Sequence, residues 1–170
     1  RQAITLHAIL NIIGVGFGIY LSFYIKLPSL SLIFLLATGL LWFYSTNYKR
    51  QFLIGNLIVS FLTALVSLMV VLFEIPLLNK AYGEIMLGHQ ASFVYIFAWI
   101  AGFSFFAFVT TLIREIIKDS EDFKGDAAYG MKTLPIVLGT KATKGILAGL
   151  ILLTMASLVY LLLRYIMFSG

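Results

Sequence analysis

The stretch FLIGNLIVSFLTALVSLMVVLF, residues 52–73, carries no charged side chain, and this constrains the chain more than any motif in it. About 20 consecutive apolar residues make a helix long enough to cross a bilayer, and such a helix keeps its backbone donors and acceptors satisfied inside hydrocarbon. Four more runs meet the same requirement, so the spans are expected at about 3–25, 29–45, 52–73, 91–113 and 142–163. The second is short and depends on its aromatic and polar flanks. With 61% hydrophobic and 11% charged residues, the chain reads as one all-α domain over residues 1–170, a multi-span transmembrane helical bundle. The first run is too long for a secretory signal and lacks a small-residue cleavage site.

Five spans send successive loops to alternate sides. One side then holds Arg1, Lys49, Arg50, Arg114, Lys118, Lys124, Lys132, Lys141 and Lys144, and the other holds Lys26, Lys80 and Arg164. Cytoplasmic loops carry the excess of Lys and Arg, which assigns the first side to the cytoplasm; the membrane is expected to be a cell's inner or plasma membrane. The acids from Glu115 to Asp126 lie on that side too, leaving only Glu74 and Glu84 on the other. A formal charge of +5 suits nucleic acid when it sits in a solvated basic domain. Here its carriers lie between apolar runs, so no nucleic-acid partner is expected. Cysteine is absent, which removes disulfides and thiolate metal sites. Because the chain opens on Arg1 instead of Met, it is expected to be an internal piece of a longer protein.

Several features of the spans have plain structural readings. GVGFG (14–18) looks like a nucleotide-binding loop but has no strand before it; Gly14 and Gly18 instead form a small-xxx-small ridge for close helix packing. His7 and His89 stand near span ends with no second ligand three or four residues away, so interfacial hydrogen bonds are expected of them. Asn11 and Asn56 lie near or within spans, where burying an amide calls for a partner on another helix or in a cavity. The aromatic run FVYIFAWIAGFSFFAFV (93–109) suits either lipid contact or the wall of an apolar cavity.

KDSEDFKGD (118–126) is different in kind. Asp119, Asp122 and Asp126 are spaced i, i+3 and i+7, so on a helix their carboxylates share one side. Like charges stacked that way repel one another and call for cations. Clustered hard oxygens suit Mg²⁺, which is commonly held by one or two carboxylates plus substrate phosphates. Arg114, Lys118, Lys124 and Lys132 surround the acids and are suited to phosphate oxygens. Glu121 falls off the shared face and is expected to be solvated, while Gly125 and Gly130 are expected to interrupt the helix and fold the loop back. The plain alternative is an ordinary charged loop.

The wider string REIIKDSEDFKGDAAYGMKTLPIVLG (114–139) resembles the second aspartate-rich motif of the UbiA superfamily of intramembrane prenyltransferases. Its D-x-x-D-x-x-x-D frame falls on Asp119, Asp122 and Asp126 and is followed by Gly130, Lys132 and Thr133. YSTNYKRQFLIGN (44–56) is similar to the family's tyrosine and lysine loop, with a Gly-Asn pair at Gly55 and Asn56. The family spaces the two as Y-x-x-x-K. Tyr44 to Lys49 is one residue longer and Tyr48 directly precedes the lysine, so the tyrosine position stays open between them.

The resemblance implies that the five spans correspond to helices three to seven of a nine-helix UbiA-type bundle. It implies Mg²⁺ on Asp122 and Asp126, with Asp119 as a third or supporting carboxylate, and these three as the catalytic acids. It implies an isoprenyl diphosphate contacted by Lys49, Lys118 and Arg114, and further by Lys132, Tyr44 and Ser45. The implied reaction passes a prenyl group to a lipophilic acceptor, a lipid or an aromatic ring, within the bilayer. REIIKD, EDFKGD and GMKTLPI are most similar to the branch that acts on geranylgeranylglycerol phosphate; quinone, haem and chlorophyll side-chain transfer stay open, as does the oligomeric state.

The family's first motif, N-D-x-x-D-x-x-x-D, belongs just before its third helix, and RQAITLHAIL opens without it. The 170 residues alone are therefore expected to be inactive. A transporter or ion-binding protein with an acidic cytoplasmic loop is the competing class, and it would place acids inside the spans. None of the seven acids sits at mid-span. A CDP-alcohol phosphotransferase would also use Mg²⁺ and clustered aspartates, but its D-G-x-x-A-R core is absent.

Overall fold

A computed structural model describes residues 2–48, 51–88 and 93–167. Every regular element among them is helical: α1 (Gln2–Tyr24), α2 (Ser31–Thr46), α3 (Ile54–Gly88), α4 (Val94–Glu121), the short α5 (Phe123–Ala128) and α6 (Leu134–Leu161). A 3-10 turn at Pro28–Leu30 precedes α2, and a π-helical turn at Leu162–Met167 follows α6. Five of these helices are long and apolar enough to cross a membrane, the number expected from the sequence.

Their ends depart from the apolar runs. α3 continues beyond Phe73, through Pro76, to Gly88. α4 continues beyond Ile113 to Glu121, and α6 begins at Leu134 rather than near residue 142. Hydropathy records where the solvent changes, whereas a helix whose hydrogen-bond ladder has started adds residues cheaply until something stops it.

The stops are visible. Lys26 takes the left-handed conformation after α1 (φ 63), and the Lys26 and Leu27 amides bond back to the Phe23 and Ser22 carbonyls, a common way of closing a helix end. Gly130 (φ 66) closes α5 in the same manner, with the Gly130 and Met131 amides on the Ala127 and Asp126 carbonyls. Gly139 (φ 79, ψ 161) breaks α6 after its first turn, in a backbone region almost confined to glycine. The uninterrupted part of α6 thus starts close to where the apolar run does.

α4 is the central helix: it packs most extensively on α3 and then on α6, while α1 pairs with α2, which meets α3. The α1–α2 contact relies on Gly18, because a Cβ there would strike the Phe34 ring. Phe34 in turn meets Phe73 of α3 edge-on, with centroids 5.9 Å apart. Gly14, the other half of the expected ridge, faces open space, so one glycine and not two sets the approach.

The best-buried cluster is Leu112 and Ile116 of α4 with Leu134 of α6, and Leu53, Phe108, Leu147 and Leu150 pack against it. It draws the entry of α3, the late part of α4 and the start of α6 together at one end of the bundle, the end that bears KDSEDFKGD. Elsewhere large apolar side chains such as Ile12, Tyr95 and Leu152 stay exposed, as hydrocarbon surroundings allow.

Candidate functional site

The late turns of α4 carry two kinds of residue side by side. Leu112 and Ile116 enter the buried cluster, while Glu115 and Asp119, one helical turn apart, bring carboxylates to its rim. Glu115 is only 8% exposed. Its Oε1 accepts a 2.7 Å bond from Arg114 Nη2, whose side chain is otherwise in the open. Asp119 is half-buried, and its Oδ2 accepts a 2.8 Å hydrogen bond from Asn56 Nδ2 in the first turn of α3. The sequence called for a partner to Asn56 on another helix or in a cavity, and Asp119 of α4 is that partner. Asn11 behaves otherwise: it bonds His7 of its own helix, at the ring and at the backbone carbonyl.

α3 is delivered to this position by an unusual residue. Leu53 sits in the left-handed region (φ 57), a conformation that costs roughly 1–2 kcal/mol for a residue other than glycine. Packing of its side chain on the buried cluster offsets that cost. From the α2 side, Tyr44 reaches the same place and lies in the electrostatic field of Glu115 and Asp119. Tyr48 rests its ring against Phe43. Asp119 itself has Asp126 and Glu115 as like charges nearby and Lys118 as a counter-charge.

The three aspartates do not share one continuous helix, contrary to what their spacing suggested. α4 stops at Asp122, whose backbone (φ −81, ψ 3) leaves helical geometry and whose amide closes on the Lys118 carbonyl. Asp122 is exposed at this break, and Asp126 is half-buried on α5. Gly125, expected to interrupt the helix, lies inside α5, whereas Gly130 does end it. Glu121 is solvated as expected. Among the described residues neither Asp122 nor Asp126 makes an ion pair or a side-chain hydrogen bond.

Of the basic candidates, Lys118, Lys124 and Lys132 are exposed around the acids, and Lys49 lies outside the described residues, as does His89. Ser45 turns its hydroxyl back to the Trp42 carbonyl. Thr133, next to Lys132, has its hydroxyl oxygen buried without a hydrogen-bond partner. Sequence reasoning counted Glu115 among the loop acids and missed its burial. The pattern Leu112, Glu115, Ile116 was the available signal, since it sets the acid beside the apolar face of α4.

No three Asp, Glu or His side chains among the described residues come close enough to hold a metal ion unaided. The arrangement is instead an open one. Asp122 and Asp126 present hard oxygens that no described cation neutralises, which fits Mg²⁺, an ion that takes one or two carboxylates and completes its shell with phosphate and water. Earlier on α4 an apolar groove of about 450 Å³ runs between α4 and α6, lined among others by Phe105, Phe106, Tyr160 and Leu161. From Phe105 to Asp119 the helix axis covers about 21 Å.

The described residues form an all-helical integral membrane protein that gathers carboxylates, cations and a tyrosine at one end of its bundle. The profile of the UbiA prenyltransferase family matches residues 1–170, and the chain belongs to that family. Its relatives include digeranylgeranylglyceryl phosphate synthases of three organisms. That of Methanothermobacter thermautotrophicus is 32% identical over 147 residues, 86% of this chain and 42% of the relative. That of Korarchaeum cryptofilum is 32% identical over 167 residues, 98% and 50%, and that of Methanosphaera stadtmanae 36% over 148 residues, 87% and 46%. The chain spans about half the length of the curated relatives it matches. No solved structure matches it.

Proposed function

We propose that the protein of which these residues form the central helices transfers a geranylgeranyl group from its diphosphate to a lipid hydroxyl, with geranylgeranylglyceryl phosphate as acceptor, in a Mg²⁺-dependent reaction. The observation that carries this reading is the hydrogen bond between Asn56 and Asp119, because it joins the two family-like segments, 44–56 and 114–139, at one end of the bundle. The names of the relatives support the substrate pair. The acid-bearing end faces the cytoplasm by the distribution of Lys and Arg.

In this reading Asp122 and Asp126 would hold Mg²⁺, with Asp119 behind them, and the ion would supply positive charge to offset that on the departing diphosphate. Lys118 and Arg114 contact diphosphate oxygens, and Lys49 and Lys132 are further candidates for that contact. Arg114 has donors to spare, since its bond to Glu115 uses one of five. Tyr44 and Ser45 line the α2 side. The bond between the prenyl C1 and the diphosphate oxygen breaks with its electron pair leaving on the diphosphate, the acceptor oxygen bonds C1, and its proton passes to solvent. The surrounding helices keep water from the cation-like carbon, and the groove at Phe105, Phe106 and Tyr160 accommodates the far part of the chain.

The test is transfer of radiolabelled geranylgeranyl from its diphosphate by the full-length protein in membranes. Asp122→Ala and Asp126→Ala are expected to abolish Mg²⁺-dependent transfer while leaving insertion and yield intact. Undiminished transfer in both would sink the metal assignment.

A further inference from the structure

At this end of the bundle several polar side chains turn back on their own helix: Ser60 bonds the Asn56 carbonyl, Ser120 the Ile116 carbonyl and Thr143 the Gly139 carbonyl. Asn56 instead reaches from α3 to α4 and donates to a carboxylate 63 positions away in sequence. A hydrogen bond to an ionised acceptor is shorter and stronger than one between neutral groups.

Both ends of this bond are fixed. On the α3 side, Leu53 gives up an ordinary backbone conformation (φ 57) to lodge in the buried cluster, and Gly55 beside Asn56 is buried. On the α4 side, Asp119 lies in the last turn before the helix stops. From there a series of backbone bonds runs on: Asp122 amide to Lys118 carbonyl, Asp126 amide to Asp122 carbonyl, Met131 amide to Asp126 carbonyl, each 2.9 Å. The segment that bears Asp122 and Asp126 is suspended from the turn that Asn56 grips.

We propose that Asn56 is a positioning residue and Asp119 its anchor: with one oxygen engaged by Asn56, Asp119 serves to aim Asp122 and Asp126 and is not itself a metal ligand. This divides the aspartates into one anchor and two ligands, and it rests on the reading of 118–126 as a Mg²⁺-diphosphate segment. Groups that orient metal ligands change metal affinity by about 10- to 100-fold when removed, so the role has a readout separate from catalysis.

The experiment measures Mn²⁺ binding by electron paramagnetic resonance, with inorganic diphosphate present, and thermal unfolding of the same nanodisc samples of full-length protein. Asn56→Ala is expected to weaken Mn²⁺ binding about tenfold, and Asn56→Asp, which sets two like charges together, to weaken it further. The exchanged pair, Asn56→Asp with Asp119→Asn, rebuilds the hydrogen bond with donor and acceptor reversed and is expected to recover both unfolding temperature and Mn²⁺ affinity. Recovery of the unfolding temperature without Mn²⁺ affinity would make Asp119 a ligand and overturn the division, as would unchanged Mn²⁺ affinity in Asn56→Ala. Asp122→Ala keeps the two readings apart. If it loses affinity while Asn56→Ala does not, only the positioning role fails; if it keeps full affinity, the metal segment itself has been misread.

Discussion

At Gly130 the backbone turns left-handed (φ 66) and returns two amides to the Ala127 and Asp126 carbonyls. A Cβ at this position meets no atom within 4 Å, so Gly130→Ala tests backbone strain with no added clash. It is expected to cost about 1–2 kcal/mol, seen as a lower unfolding temperature in detergent, and to reduce prenyl transfer because the same turn holds Asp126. Gly130→Asn, whose short amide tolerates the left-handed region, should restore much of both; equal losses in the two variants would point to some other demand for glycine. Gly130 was legible in the sequence because a glycine between a polar helix and an apolar one has few other uses. Asp122 as the stop of α4 was not, since i, i+3, i+7 spacing describes a helix and is silent about where the helix ends. Leu53 was still less legible: what compensates its φ of 57 comes from Leu112, Ile116 and Leu134, all far along the chain.

At the level of elements, α4 is two helices in one. Its early turns are exposed aromatic surface, with Tyr95 75% and Phe103 65% accessible, and its late turns are buried and acid-bearing. Between them Phe105 and Phe106 turn toward α6 and line the groove with Tyr160. The aromatic run therefore divides into an exposed part and a groove-lining part, and periodicity could not divide it because aromatic residues occupy every face. Ala156, on the α6 side of the groove, provides the probe. Ala156→Phe is expected to lower kcat/KM for geranylgeranyl diphosphate about 10-fold or more, on the scale of roughly 1–3 kcal/mol per misfitted group in an apolar pocket, and to spare geranyl diphosphate. Equal effects on the two substrates would remove the groove from the path of the chain. Helix number was legible in the apolar runs, whereas the overhangs of α3 and α4 were not, since a polar sequence that continues a helix looks like a loop to hydropathy.

Across the whole molecule, α1 and α2 form a pair whose link to the rest passes through α2 and Phe34 to Phe73, while α3, α4 and α6 enclose the buried cluster. The pairing of 44–56 with 114–139 is a long-range relation that alternation of spans had implied, because both stretches had to fall on the same side. Which side chains meet there, Asn56 with Asp119 and within the electrostatic reach of Tyr44, was beyond the sequence. The concentration of burial at the acid-bearing end has a dynamic counterpart. Opening free energy follows local packing, so in deuterated detergent solution the amides of Val109–Ile116 should exchange more slowly than those of Tyr95–Phe103 on the same helix. Uniform protection along α4 would contradict that gradient. With it, the bundle loosens first where α4 is exposed and aromatic, and the end that bears the acids is the last to open.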